Sequence, residues 1–323
     1  MFTAIVVLSA IARAEEFNIY LKTSPPLQYL RPFYDPGSLS VLVTSADGKP
    51  IVQGWAEVRI EAPEPGGFFS TDFPLVEGTR LLEMRLPLRR GRAEWKYLFP
   101  IRGEHRVSLN VVTAEGKKAS KVFPVDIREH RSKWYFLGLF TLALFALGVV
   151  AGRIFTQASL MGKSKVAGCL LLSMSWWVLP AALLAQETGT GTYFGWLEID
   201  PATVGKPVGV HWRLEGEGRV ERPVALLTLT IAHLEKGKTV FSIERLPSAG
   251  EFSMNFQFTD GAEYRVTAIA ELQGRQPIRT ERYISVSGVE PPATAMIPAM
   301  GFFLAVIAAG LGVGRWSRRA VPS

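Results

Sequence analysis

The residues with chemical potential are few and widely spaced. The four histidines are His105, His130, His211 and His233, and no two stand at the close spacing of a metal site. The soft thioethers Met84 and Met254 belong to different strands. The single cysteine, Cys169, opens an apolar run, so no intrachain disulfide forms. His105 and His130 would have to converge in space to make even a two-histidine site. Gly189-Thr190-Gly191-Thr192-Tyr193-Phe194-Gly195 looks faintly like a phosphate loop. It follows an apolar run and leads into a strand, however, whereas a phosphate loop follows a strand and opens a helix, so it reads as a linker. No nucleophile elbow, Ser/His/Asp set or paired-carboxylate motif stands out. No catalytic, cofactor-binding or metal residue is therefore assigned; neither an enzyme nor a cofactor is expected. Arg85, Arg89, Arg90 and Arg92 form a basic patch around an expected hairpin, suited to anionic headgroups or an acidic partner, or simply a solvated turn.

The elements that position these residues fall into two kinds. Residues 134–152 and 166–185 carry no charge, and 296–314 form a third apolar run, each near the ~20 residues that cross a bilayer. Residues 1–14 read as a signal peptide with a short apolar core and Ala12-Arg13-Ala14 at the cleavage position. The net charge of +7 is not spread evenly. Residues 15–133 hold 18 basic against 15 acidic side chains, and residues 187–295 hold 11 against 14. The excess sits at Arg13, Arg153, Lys163, Lys165, Arg315, Arg318 and Arg319, mostly just past apolar runs, as positive-inside topology requires. With both polar regions near neutral, nucleic acid is excluded as a partner.

The expected organisation is a signal peptide (1–14), a β domain (15–130), a first membrane helix (134–152) and a short cytoplasmic loop (153–165). A second, signal-peptide-like helix (166–186), a second β domain (187–292), a third helix (296–314) and a basic tail (315–323) follow. Seven strands are expected in each β domain: 17–22, 39–45, 55–60, 81–88, 93–99, 105–113 and 120–127, then 193–199, 208–214, 225–233, 239–246, 252–259, 264–272 and 282–287. The domains repeat one another. At a constant offset, Trp95, Tyr97 and Phe99 align with Met254, Phe256 and Phe258, and Glu104-His105-Arg106-Val107-Ser108 with Glu263-Tyr264-Arg265-Val266-Thr267. The helix ends Gly148-x-x-x-Gly152-Arg153 and Gly310-x-x-x-Gly314-Arg315 match as well. An internal duplication is the expected origin, with 134–186 as its seam.

Asp260-Gly261-Ala262-Glu263-Tyr264-Arg265-Val266 resembles the sixth-strand signature of immunoglobulin-like domains, with Val266 in the cysteine position. The resemblance implies an all-β fold of two immunoglobulin-like sandwiches. It also implies that Tyr264 is a corner tyrosine bonding to nearby backbone, and that Trp55 and Trp212 are core tryptophans. Asp47-Gly48-Lys49-Pro50 before a strand, with a strand pair closing on Gly103 and Val107, is similar to exported domains of the FixH/YtkA-like class, linked to copper handling and oxidase assembly; no metal-facing set accompanies it.

The expected function is that of a noncatalytic multi-pass protein of a bacterial inner membrane, displaying two periplasmic domains as an accessory or assembly subunit. Its partners are the lipid bilayer and a membrane protein met through the small-residue faces of the first and third helices, including Ala305/Ala309 and Ala308/Gly312. Packing of those helices on each other is the intramolecular alternative. Copper handling is the alternative function, and an exported hydrolase a third.

Overall fold

A computed structural model of the chain describes residues 17–26, 29–34, 36–66, 71, 73–158, 193–216, 223–290 and 293–319. The first half holds β1 (Phe17–Ser24), β2 (Gly37–Ser45), β3 (Gly54–Glu61), β4 (Arg80–Pro87), β5 (Arg92–Tyr97), β6 (Gly103–Thr113) and β7 (Lys118–Ile127), then α1 (Arg131–Ala158). The second holds β8 (Tyr193–Ile199), β9 (Pro207–Gly216), β10 (Ala225–His233), β11 (Lys238–Ser248), β12 (Glu251–Gln257), β13 (Glu263–Glu271) and β14 (Ile278–Ser285), then α2 (Ile297–Arg319). Side-chain alternation drives this. In β10, Ala225, Leu227, Leu229, Ile231 and His233 are buried and the residues between them are not. β14 starts at Ile278, earlier than its expected 282, because Arg279 and Glu281 give this edge strand the composition of a linker.

The strands make two seven-stranded antiparallel sheets rather than two separate sandwiches. Their orders are β1-β2-β5-β11-β10-β13-β14 and β7-β6-β3-β4-β12-β9-β8. Shifting every strand number by seven turns one order into the other read backwards, so both halves have the same connectivity. In each half the first, second and fifth strands join one sheet, and the fourth, third, sixth and seventh the other, an immunoglobulin-like split with the fourth strand beside the third. The halves meet where β5 pairs β11 (Tyr97↔Phe241) and β4 pairs β12 (Met84↔Met254). One hydrophobic core runs through both. The gapless repeat has a spatial meaning: a file of edge-on rings runs His105–Phe99–Tyr97, crosses the seam to Phe256, and continues Phe258–Tyr264, with centroid separations of 4.7–6.5 Å.

Trp212 is buried at 2% exposure, as the resemblance implies. Trp55 is 44% exposed: Ala56, Val58 and Ile60 take the inward positions of β3, which leaves the odd residues outside, and Trp95 is the buried tryptophan of the first half.

Register fixes which end is which. β7 runs down to Ile127 and into α1, and β14 runs down to Ser285 and toward α2, so both helices leave the same end. They pack in parallel, Gly148 against Gly310 and Gly152 against Leu311, with Phe140 edge-on to Phe303. A methyl group on Gly148 would stand 2.5 Å from the Ile307 carbonyl oxygen, and one on Gly152 2.5 Å from that of Leu311. Only glycine permits this approach. The helices reach Ala158 and Arg319, so residues 153–158 belong to α1 rather than to a loop and residues 315–319 to α2 rather than to a tail; nothing in Arg153 to Ala158 breaks a helix. Among the described residues two helices, Arg131–Ile154 and Ile297–Ser317, are long and apolar enough to span a membrane. The expected signal peptide (1–14) and second helix (166–186) lie outside the described residues.

Candidate functional site

The densest polar cluster lies at the helix-bearing end of the body, where the β10–β11 turn meets the β12–β13 corner. His233 and Tyr264 are cross-strand partners, and this register brings together groups far apart in sequence. The Asp260 carboxylate accepts from three donors: the Tyr264 hydroxyl, Lys236 Nζ at 2.5 Å and His233 Nε2 at 3.1 Å. His233 Nδ1 in turn accepts the Lys236 backbone N–H at 3.3 Å. The Lys236 ammonium also sits 4.1 Å from the ring centre of Phe33, which stacks on Phe73 at 5.1 Å. Lys238 donates to the carbonyls of Phe33 and Tyr34, both at 2.7 Å.

Burial pushes Asp260 up, but the hydrogen bonds from Lys236, Tyr264 and His233 outweigh it and hold the carboxyl below its usual range. Burial, reinforced by that carboxylate, pushes the Tyr264 hydroxyl well above the ordinary tyrosine value. Tyr264 is thus a corner tyrosine, its hydroxyl donating to the Asp260 carboxylate and also meeting the Asp260 backbone. A carboxylate held by three donors, with both nitrogens of its histidine engaged, is a clamp. It ties the second half to the 29–34 loop of the first.

The other histidines are dispersed. His105 is fully buried, its Nδ1 3.2 Å from the Gly103 carbonyl and its Nε2 without a partner. Burial lowers its pKa to about 4, against smaller opposing contributions from that carbonyl and from Asp126. His130 Nδ1 pairs with Ser132 Oγ at 2.6 Å. His211 Nδ1 pairs with Ser253 Oγ at 2.8 Å on an outer sheet face, and His211 Nε2 and the Asp200 carboxylate, which accepts the Gly209 N–H at 3.2 Å, both border Gly209. Among the described residues no three His, Cys, Asp or Glu side chains form a metal-holding group. Met84 and Met254 do meet, directly opposite across the seam and both 3% exposed, a proximity hidden in sequence because it depends on the pairing of the halves. A partly open pocket of about 10 Å³, space for about one water, is bordered by Phe33, Tyr97, Gln257, Thr259 and Tyr264; Gln257 Oε1 lacks a partner. Gly195 lies in β8, where a methyl would press on Thr280 Oγ1, so it serves strand packing; residues 189–192 lie outside the described residues.

No family model matches the chain and no curated protein matches it, so the FixH/YtkA likeness stands on the quoted residues alone. Among solved structures, a conjugative transposon lipoprotein from Bacteroides eggerthii matches 29% of this chain and 98% of its own at 10% identity and a TM-score of 0.23. Red sea bream transglutaminase matches 86% of this chain but 32% of its own at 7% identity and 0.23. The native α2-macroglobulin of E. coli matches 85% and 17% at 11% identity and 0.25. These scores carry no functional argument.

Proposed function

We propose that the chain is a noncatalytic, membrane-anchored subunit that presents its double β-sandwich outside a bacterial inner membrane and serves a membrane complex as an accessory or assembly factor. The observation that carries this reading is the parallel, glycine-packed helix pair leaving one end of a body whose polar cluster is fully committed internally. α1 ends at Ala158 and the described chain resumes in the body at Tyr193. The uncharged run within 166–186 is read as a return crossing, which keeps both halves on one side. Arg153, Lys163, Lys165, Arg315, Arg318 and Arg319 then fall on the inner side, as the positive-inside tendency requires. Residues 1–14 would export the first half, and the shared connectivity supports an origin by duplication.

The faces bearing Gly148, Gly152, Gly310 and Gly314 are occupied by each other. A membrane partner is therefore proposed to meet the remaining small face of α2, where Gly301, Ala305, Ala308 and Gly312 are exposed. Purification in mild detergent followed by mass spectrometry tests this: stoichiometric membrane partners are expected, and a solitary monomer contradicts it. The second reading, periplasmic copper handling, draws on the Met84–Met254 pair. It requires bound copper that Met84→Ala removes; its absence from protein purified with copper present ends that reading.

A further inference from the structure

The arginine patch of the turn between β4 and β5 lies at the end of the body opposite the helices. β4 runs from its helix-side end at Arg80 up to Pro87, and the two-residue turn Arg90-Gly91 follows. Arg89 and Arg92 flank the turn and exchange both backbone hydrogen bonds, at 2.8 and 3.0 Å, so their side chains emerge beside each other. Like charges directly opposite on such a pair destabilise it. Arg90 occupies the left-handed region (φ 49°), where this turn favours asparagine. Arg89, Arg90 and Arg92 are exposed, and no described carboxylate lies within ion-pair distance of them. Other arginines of the body pair with carboxylates, as in Arg59–Glu83 at 2.8 Å and Arg106–Glu64 at 2.7 Å, or lie against rings or a carbonyl, as Arg102, Arg275 and Arg282 do. Trp55, half exposed with the Arg85 guanidinium 4.8 Å from its ring centre, extends the patch with an apolar surface. The turn thus keeps three cations without a carboxylate partner, of which Arg89 Nη1 reaches the Arg245 carbonyl at 3.3 Å.

Position selects the partner. The eleven residues of β6 put this end about 30 Å from the helix-bearing end. The Debye length is about 8 Å at physiological ionic strength, so the headgroups of the protein's own bilayer are screened from it. We propose that the Arg89–Arg92 turn, with Trp55 and Arg85 beside it, is a docking site for an acidic segment of a partner protein. Guanidinium groups bind carboxylates bidentately, and exposed tryptophan and arginine together have the composition of interface hot spots. The inference rests on the proposed membrane anchoring only for the statement that this end is the distal one.

The test uses the full chain in phosphatidylcholine nanodiscs and a fluorescein-labelled deca-glutamate peptide, read by anisotropy. Saturable binding that weakens with added salt is expected, at least tenfold weaker in the R89Q/R90Q/R92Q variant and unchanged in K22Q. Arg90→Asn alone is expected to weaken binding while raising thermal stability, which separates docking from folding. No saturable binding, or equal affinity in the triple variant, overturns the site. Capture of added phosphatidylglycerol vesicles through the same arginines at physiological salt overturns it in favour of lipid. In the mild-detergent purification, partners kept by the triple variant overturn this site alone, whereas none with the unaltered chain overturns the accessory reading.

Discussion

At the scale of single residues, buried polar groups set how the body responds to pH. His105 is neutral when folded, its pKa lowered from 6.5 to about 4 chiefly by burial. The unfolded chain therefore binds the proton first, and stability falls as pH drops from about 6.5 toward 4, by up to about 3 kcal/mol. Asp260, held below its usual range, acts in the same direction at lower pH: its contribution is present above the unfolded carboxyl value and lost as pH falls through the folded one. Denaturant titrations across this range should show the decline, and His105→Phe should remove the part between pH 6.5 and 4 while costing about 1 kcal/mol at pH 7 for the lost Nδ1 hydrogen bond to the Gly103 carbonyl. Tyr264→Phe should cost about 1.5–3 kcal/mol by the same measurement, because it removes a hydrogen bond to a charged group. The Tyr264 motif was visible in sequence, but the clamp was not. Lys236 and His233 join Asp260 only through the β10–β13 register, which no local pattern encodes.

At the scale of elements, alternation made strands such as β10 and β13 legible because each buries one face, whereas β14 buries no residue and its start was hidden. The joining of the halves was not legible, since it depends on which strands become edges. The sign of it lies in charge placement. The outer strands β7 and β14 carry Lys118, Lys121, Arg279 and Arg282, and Lys121 and Arg282 reach across to the carbonyls of Ile19 and Leu197, at 3.2 and 3.1 Å, covering the open sides of β1 and β8. β12, at the seam, presents Phe252, Met254 and Phe256 to the core and neutral Ser253 and Asn255 outside. In the helices, Gly310→Val would push a branched side chain into the Phe145 carbonyl. It should separate α1 from α2 at a cost of about 1–3 kcal/mol, seen as a lower melting temperature in detergent. Gly312→Val faces open space and should leave that temperature unchanged.

At the scale of the molecule, the shared sheets make the two halves one cooperative unit. Cutting the chain after residue 130 would expose β4 and β5 along the sides now paired to β12 and β11 and open the core beside Tyr97 and Met84. A fragment of residues 15–130 should therefore aggregate or remain unfolded, while the full chain melts in one calorimetric transition spanning both halves; two separated transitions would show independent domains. In the proposed topology this body stands outside the membrane on helices whose far ends lie together inside. A reporter joined at Ser164 tests that placement most directly. Green fluorescent protein there should fluoresce and alkaline phosphatase there should be inactive, as a cytosolic junction requires. An active phosphatase with a dark fluorescent fusion would contradict it.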